Sequence, residues 1–266
     1  WAFRKPNCWN VWNAVSRVRR REDAVVKAVM LRTPGGPEAL EFCVLPDPKP
    51  RVGEVLVRTE AMGVGWPDVL IRKGVYKWMP PLPASPGNEL CGVVDALGEG
   101  VSALAVGQRV LVSAREFATR GGCYVERISV PASIVYPLSK KIRPEQAVAL
   151  PNFQVAYAIL HEAGKGPRPP KSLFVTGGAG GVGSAILQLA RQAGLAAITS
   201  ISSDEKAAFA QTQGAQHTIN YRTENVAERV LALTNGKGVD LVLDHVAGPD
   251  FTANLSMLRS EEHTSE

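Results

Sequence analysis

The 266-residue sequence predicts an α/β protein in two parts, an irregular β domain followed by a doubly wound parallel sheet. Three observations predict it. From Val26 to about Ile142, short alternating apolar runs are punctuated by glycine and proline. After Arg143 apolar residues recur at helical spacing, and from Leu173 onward strands and helices alternate. That alternation demands parallel strands joined by right-handed crossovers.

Taken in order, Val26-Lys-Ala-Val-Met-Leu reads as the first strand. Pro46, Pro48 and Pro50 lead into Gly53 and then Val55, Val57 and Thr59, the alternation of a half-buried strand. Further strands are expected over 91–98, turned by Gly98 and Gly100, over 107–112 and over 123–130. Helices follow at 144–150 and 155–162. Strands are then expected at 173–176, 195–201, 217–219 and 239–243, with helices at 183–192, 204–213 and 226–234 between them and a last helix at 250–258. Two further strands of a six-stranded doubly wound sheet would need roughly 60–90 residues beyond Leu258.

The strand-to-helix turn at 173–192 carries the most chemistry. Its sequence fits G-x-G-x-x-G at Gly178, Gly180 and Gly183, directly after an apolar run and before an amphipathic helix. The three glycines are assigned the tight turn, the approach of a pyrophosphate to bare backbone, and close helix-to-strand packing. Gly178, Gly180, Gly181, Val182 and Gly183 therefore form a candidate dinucleotide cradle, with amides of the helix start facing the phosphates. Ala185, Ile186, Leu189 and Ala190 are expected to form the buried helix face.

Composition sets bounds. At 45% hydrophobic and 21% charged residues the chain reads as an ordinary soluble globular protein, and no apolar run is long enough to span a bilayer. Cys8, Cys43, Cys91 and Cys123 are widely spaced and form no C-x-x-C pair, which argues against a zinc cage or a thioredoxin-type motif and for a reducing cytoplasm. Much of the net charge of +5 sits in the head, where Arg4, Lys5, Arg17, Arg19, Arg20 and Arg21 face only Glu22 and Asp23. Such an excess suits a solvated surface or a phosphorylated cofactor better than a nucleic-acid groove.

Both ends differ in character from the rest. Residues 1–25 hold three of the five tryptophans and no apolar signal region, and are expected to be upstream translation, with Val26 marking a GTG start. Residues 259–266 resemble the conceptual translation of a sequencing adapter and are expected to be a scar, so that His263 is no site. The two expected domains are 26–147 and 148–258.

The segments Pro46-x-Pro-x-Pro-x-x-Gly-Glu-Val-Leu-Val, Pro86-Gly-Asn-Glu-Leu-Cys-Gly-Val-Val and Gly107-Gln-Arg-Val, followed by the glycine-rich turn, resemble the medium-chain dehydrogenase/reductase superfamily over Lys27 to Leu258. Within it the chain looks like the zinc-free quinone oxidoreductase, or zeta-crystallin-like, branch. The resemblance implies a GroES-like β-barrel for the first part and a Rossmann domain for the second. Zinc-dependent alcohol dehydrogenases carry ligands in Gly-Val-Cys-His-Thr-Asp and Gly-His-Glu. Here those segments read Gly63-Val-Gly-Trp-Pro-Asp68 and Gly87-Asn-Glu89, so Gly65 and Asn88 replace two of three ligands and no metal is expected.

Without a Lewis acid an unactivated alcohol is hard to polarise, whereas a quinone or conjugated enone accepts hydride readily because the charge delocalises. The resemblance therefore implies hydride transfer from a nicotinamide to such an acceptor, oriented in a water-poor cleft between the domains. Two alternatives stay open: an enoyl-thioester or 2-alkenal reductase of the same superfamily, and a non-catalytic nucleotide-binding protein, crystallin-like or RNA-associated. The family commonly has Asn at the Gly65 position and Thr at the Gln154 position, and both departures favour the latter. Full-length members are usually homodimers or homotetramers.

An NAD enzyme would place an acid at the end of the second strand, but 200–203 is neutral. By resemblance Lys206 and Tyr221 match positions that approach the 2′-phosphate of NADPH, and Ser203 could add a hydroxyl, so NADPH is the expected cofactor. Ser203 also reads as a helix N-cap, with Asp204 and Glu205 as first-turn acids, and Asp204 could instead turn to the ribose. Gln154 could offer an amide near the nicotinamide, and Asp244 follows the fourth strand where the cofactor passes, while its neighbour His245 reads as structural. Trp66, Asp68 and Tyr76 are the candidates for the substrate cleft, with no obligate acid or base among them, and Trp66 and Tyr76 would serve equally as core.

Overall fold

A computed structural model describes residues 25–116, 120–163, 169–246 and 251–259. The head to residue 24 with Cys8, Asp250, and residues 260–266 with His263 lie outside the described residues. Contacts divide the chain into two compact units that meet in sequence between Val148 and Ala149.

In the first unit β1 (Val25–Leu31) pairs antiparallel with β2 (Leu40–Pro46). Next come β3 (Glu54–Met62), α1 (Trp66–Arg72), β4 (Glu89–Leu97), β5 (Arg109–Ser113), β6 (Arg127–Pro131), β7 (Val135–Pro137) and the single turn α2 (Pro144–Ala147). These strands form an antiparallel sheet in the order β6-β3-β4-β5-β7. Val55 and Val57 on β3 and Val110 and Val112 on β5 alternate inward and close a core with Leu90, Val94 and Val130. This is the GroES-like part of the fold.

The second unit runs α3 (Leu150–Ala163), β8 (Ser172–Val175), α4 (Gly181–Gln192), β9 (Ala196–Ile201), α5 (Asp204–Gln213), β10 (His217–Asn220), α6 (Val226–Leu233), β11 (Leu241–Leu243) and α7 (Phe251–Leu255). The sheet is parallel, in the order β10-β9-β8-β11. It is apolar on both faces. Leu173 and Val175 pack with Ala185, Ile186, Leu187 and Ala190 on one side, whereas Phe174 and Ile198 pack with Val230 and Met257 on the other. Burying Phe174 alone contributes roughly 1.5–3 kcal/mol. This is the doubly wound, Rossmann-like arrangement expected of alternating elements.

Several expected elements are shifted. Helix α3 begins at Leu150 rather than 155, because Pro151 falls in a first turn, where its missing N–H costs nothing. The 144–150 helix is correspondingly cut to one turn. Within 123–130, β6 starts only at Arg127, since the Cys123 and Tyr124 amides donate to Gly87 and Pro86 carbonyls instead of joining the sheet. The 239–243 strand shrinks to Leu241–Leu243, with Val239 forming a lone parallel bridge to Leu258. On α4 Leu187 is fully buried, while Leu189 is only partly covered. The helix lies between two apolar layers, so its buried face is wider than one stripe.

Candidate functional site

In the second unit, β8 ends at Val175 and the chain turns through Thr176 to Gly180 into α4. The left-handed turn residue is Gly177, at φ 62°, rather than Gly178. Gly178 instead lies against Thr199 of β9, whose side chain fills the space a Cβ would need. At Gly183 a Cβ would collide with the Gly177 carbonyl and stand 2.9 Å from Gly178 Cα, so glycine alone lets the helix close on the turn. Gly180 and Gly181 are exposed, as a surface for bare-backbone contact requires.

Gly180 is the N-cap of α4 and has no side chain to cap with. Among the described residues the amides of Gly181, Val182 and Gly183 meet no acceptor beyond the helix start. Three aligned donors at a helix N-terminus attract an anion. Sequence reading missed Asn152 on α3, whose amide nitrogen lies 2.8 Å from where a Cβ on Gly181 would stand. Its side chain has no hydrogen-bond partner among the described residues, and nothing in the local sequence announces the proximity.

At the end of β9, Ser203 caps α5 by accepting the Lys206 amide at 3.4 Å. Lys206 Nζ donates to the hydroxyl of the buried Ser202 at 2.9 Å, and the Tyr221 amide donates to the Ile201 carbonyl at 3.1 Å. Ser203, Lys206 and Tyr221 thus gather at one strand end, with the Tyr221 ring exposed. Asp204 and Glu205 are exposed in the first turn of α5.

Asp244 is held by three donors. It accepts from Thr176 Oγ1 at 3.1 Å, from the Val246 amide at 3.1 Å and from Asn254 Nδ2 at 2.8 Å, tying β11 to β8 and α7. Burial lowers His245 from its ordinary value against the opposing Asp244 charge, and its Nδ1 is buried without a partner. Gln154 is exposed on α3.

In the first unit Asp68 is 5% exposed. Its Oδ2 accepts from the Gly65 amide at 2.8 Å, and its Oδ1 accepts from the Gly87 amide at 3.2 Å and from Asn88 Nδ2 at 2.9 Å. Burial raises its carboxyl above the ordinary range, against the lowering pull of those donors. The buried Tyr124 hydroxyl faces this carboxylate outside hydrogen-bond geometry, and burial followed by the Asp68 charge pushes the phenol up. Asp68 therefore pins together the two segments that carry ligands in zinc dehydrogenases. Burial also raises the Glu89 carboxyl, opposed by Arg115 at 3.7 Å, and Glu89 Oε2 accepts no hydrogen bond.

The donor set at this place does not suit a metal. Gly65 offers no atom, and the Asn88 amide is turned to Asp68. Burial pushes the Cys91 thiol up to about 11 and Cys123 higher still, which keeps both protonated. Among the described residues no three His, Cys, Asp or Glu side chains come together as a metal site.

Trp66 opens α1 and is 67% exposed. Tyr76 and Trp78 meet edge to face at 5.6 Å, and Tyr76 Oη accepts from Arg120 Nη1 at 2.8 Å. The sequence separation of Arg120 from Tyr76 hid this residue from sequence reading.

Comparison with known proteins gives the lineage. The alcohol dehydrogenase GroES-like domain matches residues 51–140, and the zinc-binding dehydrogenase domain matches residues 181–264. The chain is 35% identical to the rat synaptic vesicle membrane protein VAT-1 homolog, with 80% of this chain and 51% of that protein covered. It is 31% identical to rat quinone oxidoreductase, with 88% of this chain and 70% of that one covered. It thus spans about half the length of the former and somewhat over two thirds of the latter. The Escherichia coli quinone oxidoreductase complexed with NADPH superposes with a TM-score of 0.78 at 29% identity, over 89% of this chain and 70% of that one. With both domain patterns in place and this likeness running through both units, the chain belongs to the medium-chain dehydrogenase/reductase family, among its quinone oxidoreductase-like members.

Proposed function

We propose that the protein reduces quinones or conjugated enones with NADPH and without zinc. The observation that carries this reading is the glycine cradle of α4 with its three uncapped amides, beside a strand end that is neutral over 200–203 and offers Lys206, Tyr221 and Ser203. The turn suits a dinucleotide, because glycine at 178 and 183 lets it pack on β9 and on the helix start while the exposed Gly180 and Gly181 present bare backbone. Gly180, Gly181, Val182, Gly183 and Asn152 would hold the pyrophosphate, and Lys206, Tyr221 and Ser203 the 2′-phosphate. When bound, NADPH supplies the hydride.

The chain's own part is to bind and orient. The Gly65 and Asn88 replacements support zinc independence, since they leave no ligand pair to polarise a carbonyl. The Escherichia coli relative is described as an NADPH complex, which supports the choice of nicotinamide. Trp66 and Tyr76 are proposed to line the acceptor pocket, and Asp68 is proposed to hold its floor through Gly65 and Asn88. No helix among the described residues is long and apolar enough to cross a membrane.

The test is steady-state oxidation of NADPH and NADH with a naphthoquinone and with an α,β-unsaturated ketone, with a chelator present. Turnover with NADPH preferred and the chelator without effect supports the proposal. Tight NADPH binding with no turnover of either acceptor would favour a non-catalytic nucleotide-binding protein, the reading to which Gly65 and Gln154 point.

A further inference from the structure

We propose that Arg120, with Tyr76 and Trp78, forms a subsite for a carboxylate or phosphate on the electron acceptor, so that the preferred acceptors are anionic quinones or enones. The inference rests on the proposed reductase activity and names its substrate class.

Arg120 is held on three sides. Its guanidinium carbon lies 4.2 Å from the Trp78 ring centroid and 6.0 Å from that of Tyr76. Its Nη1 donates to Tyr76 Oη at 2.8 Å, and its backbone amide donates to the Trp78 carbonyl at 3.0 Å. Its Nε is buried and has no partner. Lys77 Nζ approaches the Trp78 ring at 5.3 Å, and Lys73 Nζ the Trp66 ring at 5.9 Å.

None of these three cations has a carboxylate within ion-pair reach among the described residues. Of the other arginines described in the unit, Arg32, Arg58, Arg109, Arg115 and Arg127 each face an acid, and Arg72 donates to the Gly35 carbonyl. The one acid in the 65–80 segment is Asp68, which is buried and turned inward to Gly65, Gly87 and Asn88. Arg120 is therefore a partly buried positive charge that its surroundings stack but do not neutralise.

A guanidinium has five N–H donors in a planar fork, and Arg120 spends one of them within its side-chain contacts. A carboxylate or phosphate matches that fork and would supply the missing charge. The Tyr76 oxygen takes its hydrogen bond from Arg120, which leaves the phenolic hydrogen free to be donated to an oxygen of the ligand. The exposed Trp78 side chain provides an apolar surface for a flat conjugated ring beside the charge.

The experiment compares matched acceptors on the whole protein: a naphthoquinone bearing a carboxylate, its methyl ester, and an analogue bearing a phosphate. Wild type is expected to favour the carboxylate over the ester in kcat/KM by roughly tenfold or more, the scale of a hydrogen-bonded charge pair. Arg120→Met is expected to bring that ratio close to one, and Arg120→Lys, which keeps the charge and loses the fork, to give an intermediate ratio. If Arg120→Met does not fold, the lysine variant carries the comparison. A ratio near one in wild type, or one that neither variant changes, overturns the proposal. The order of carboxylate and phosphate identifies the preferred oxyanion.

If no acceptor turns over, the reductase reading fails but the subsite is still tested. Calorimetric titration should then show the carboxylated naphthoquinone binding wild type at least about tenfold tighter than its ester, with the difference gone in Arg120→Met. Equal affinities would overturn it.

Discussion

The loop between β8 and α4 and the segment between α1 and β4 are built in opposite ways. The first works by the absence of side chains: Gly178 and Gly183 let backbone pack on backbone, and the α4 amides are left uncapped. The second works by side chains that meet from distant positions, as Arg120 reaches Tyr76 and Trp78. A backbone site tolerates almost no substitution at its closest approaches. A side-chain site should instead lose function in graded steps as single groups are removed.

The largest expected effect is at Gly183. Gly183→Val places a Cβ into the Gly177 carbonyl, so NADPH binding should fall by about 100-fold or more as the cradle is displaced. Overpacking should also cost roughly 1–3 kcal/mol of stability. Calorimetric titration and thermal melting read the two effects separately, and wild-type affinity in this variant would break the contrast between the loops.

Lys206→Ala should come next. Losing a charged hydrogen bond to a phosphate corresponds to about 1.5–3 kcal/mol, or roughly ten- to hundredfold in NADPH affinity. NADH affinity should barely change, because it lacks the 2′-phosphate.

Asp240 sharpens the comparison through stability. It accepts from the Lys171 and Ser172 amides and from the Ser172 hydroxyl, all at 2.9 Å, and faces Arg259 at 3.4 Å. Burial raises its carboxyl, but these partners together outweigh burial and hold it below its ordinary value of 3.8. Asp240→Ala should cost about 1–3 kcal/mol near neutral pH. Because the folded value is depressed, this stabilisation is fully present above pH 3.8 and lost as pH falls through the folded value. Melts of wild type and variant should therefore converge in acid, and a gap that persists or widens there would contradict the assignment.

The smallest effect belongs to Tyr76→Phe, which removes one acceptor from Arg120 while leaving it stacked on Trp78. A change of roughly 0.5–1.5 kcal/mol is expected, seen as a higher KM for the acceptor with the NADPH affinity unaltered. A matching loss in NADPH affinity would show that the residue acts on the fold as a whole.

The same contrast explains what was legible in the sequence. The parallel sheet and its glycine turn are legible because periodicity and glycine spacing are local signals, and the Ser203 cap marks the start of α5 at Asp204. The width of the α4 buried face could not, since Leu187 is covered by layers that a single-helix pattern does not reveal. Gly177 took the left-handed turn because Gly178 is pressed against Thr199 on β9, a contact set by strand pairing. Arg120 and Asn152 were missed for one reason: each lies beside its partner only after distant segments have packed. Asp68 could be found from its motif, yet its inward hydrogen bonds could not.

The most direct measurement is calorimetric titration of wild type and Lys206→Ala with NADPH and NADH. The account predicts that wild type binds NADPH at least about tenfold tighter than NADH and that Lys206→Ala abolishes the preference. NADH binding wild type as tightly as NADPH, or a preference that survives the substitution, would contradict it.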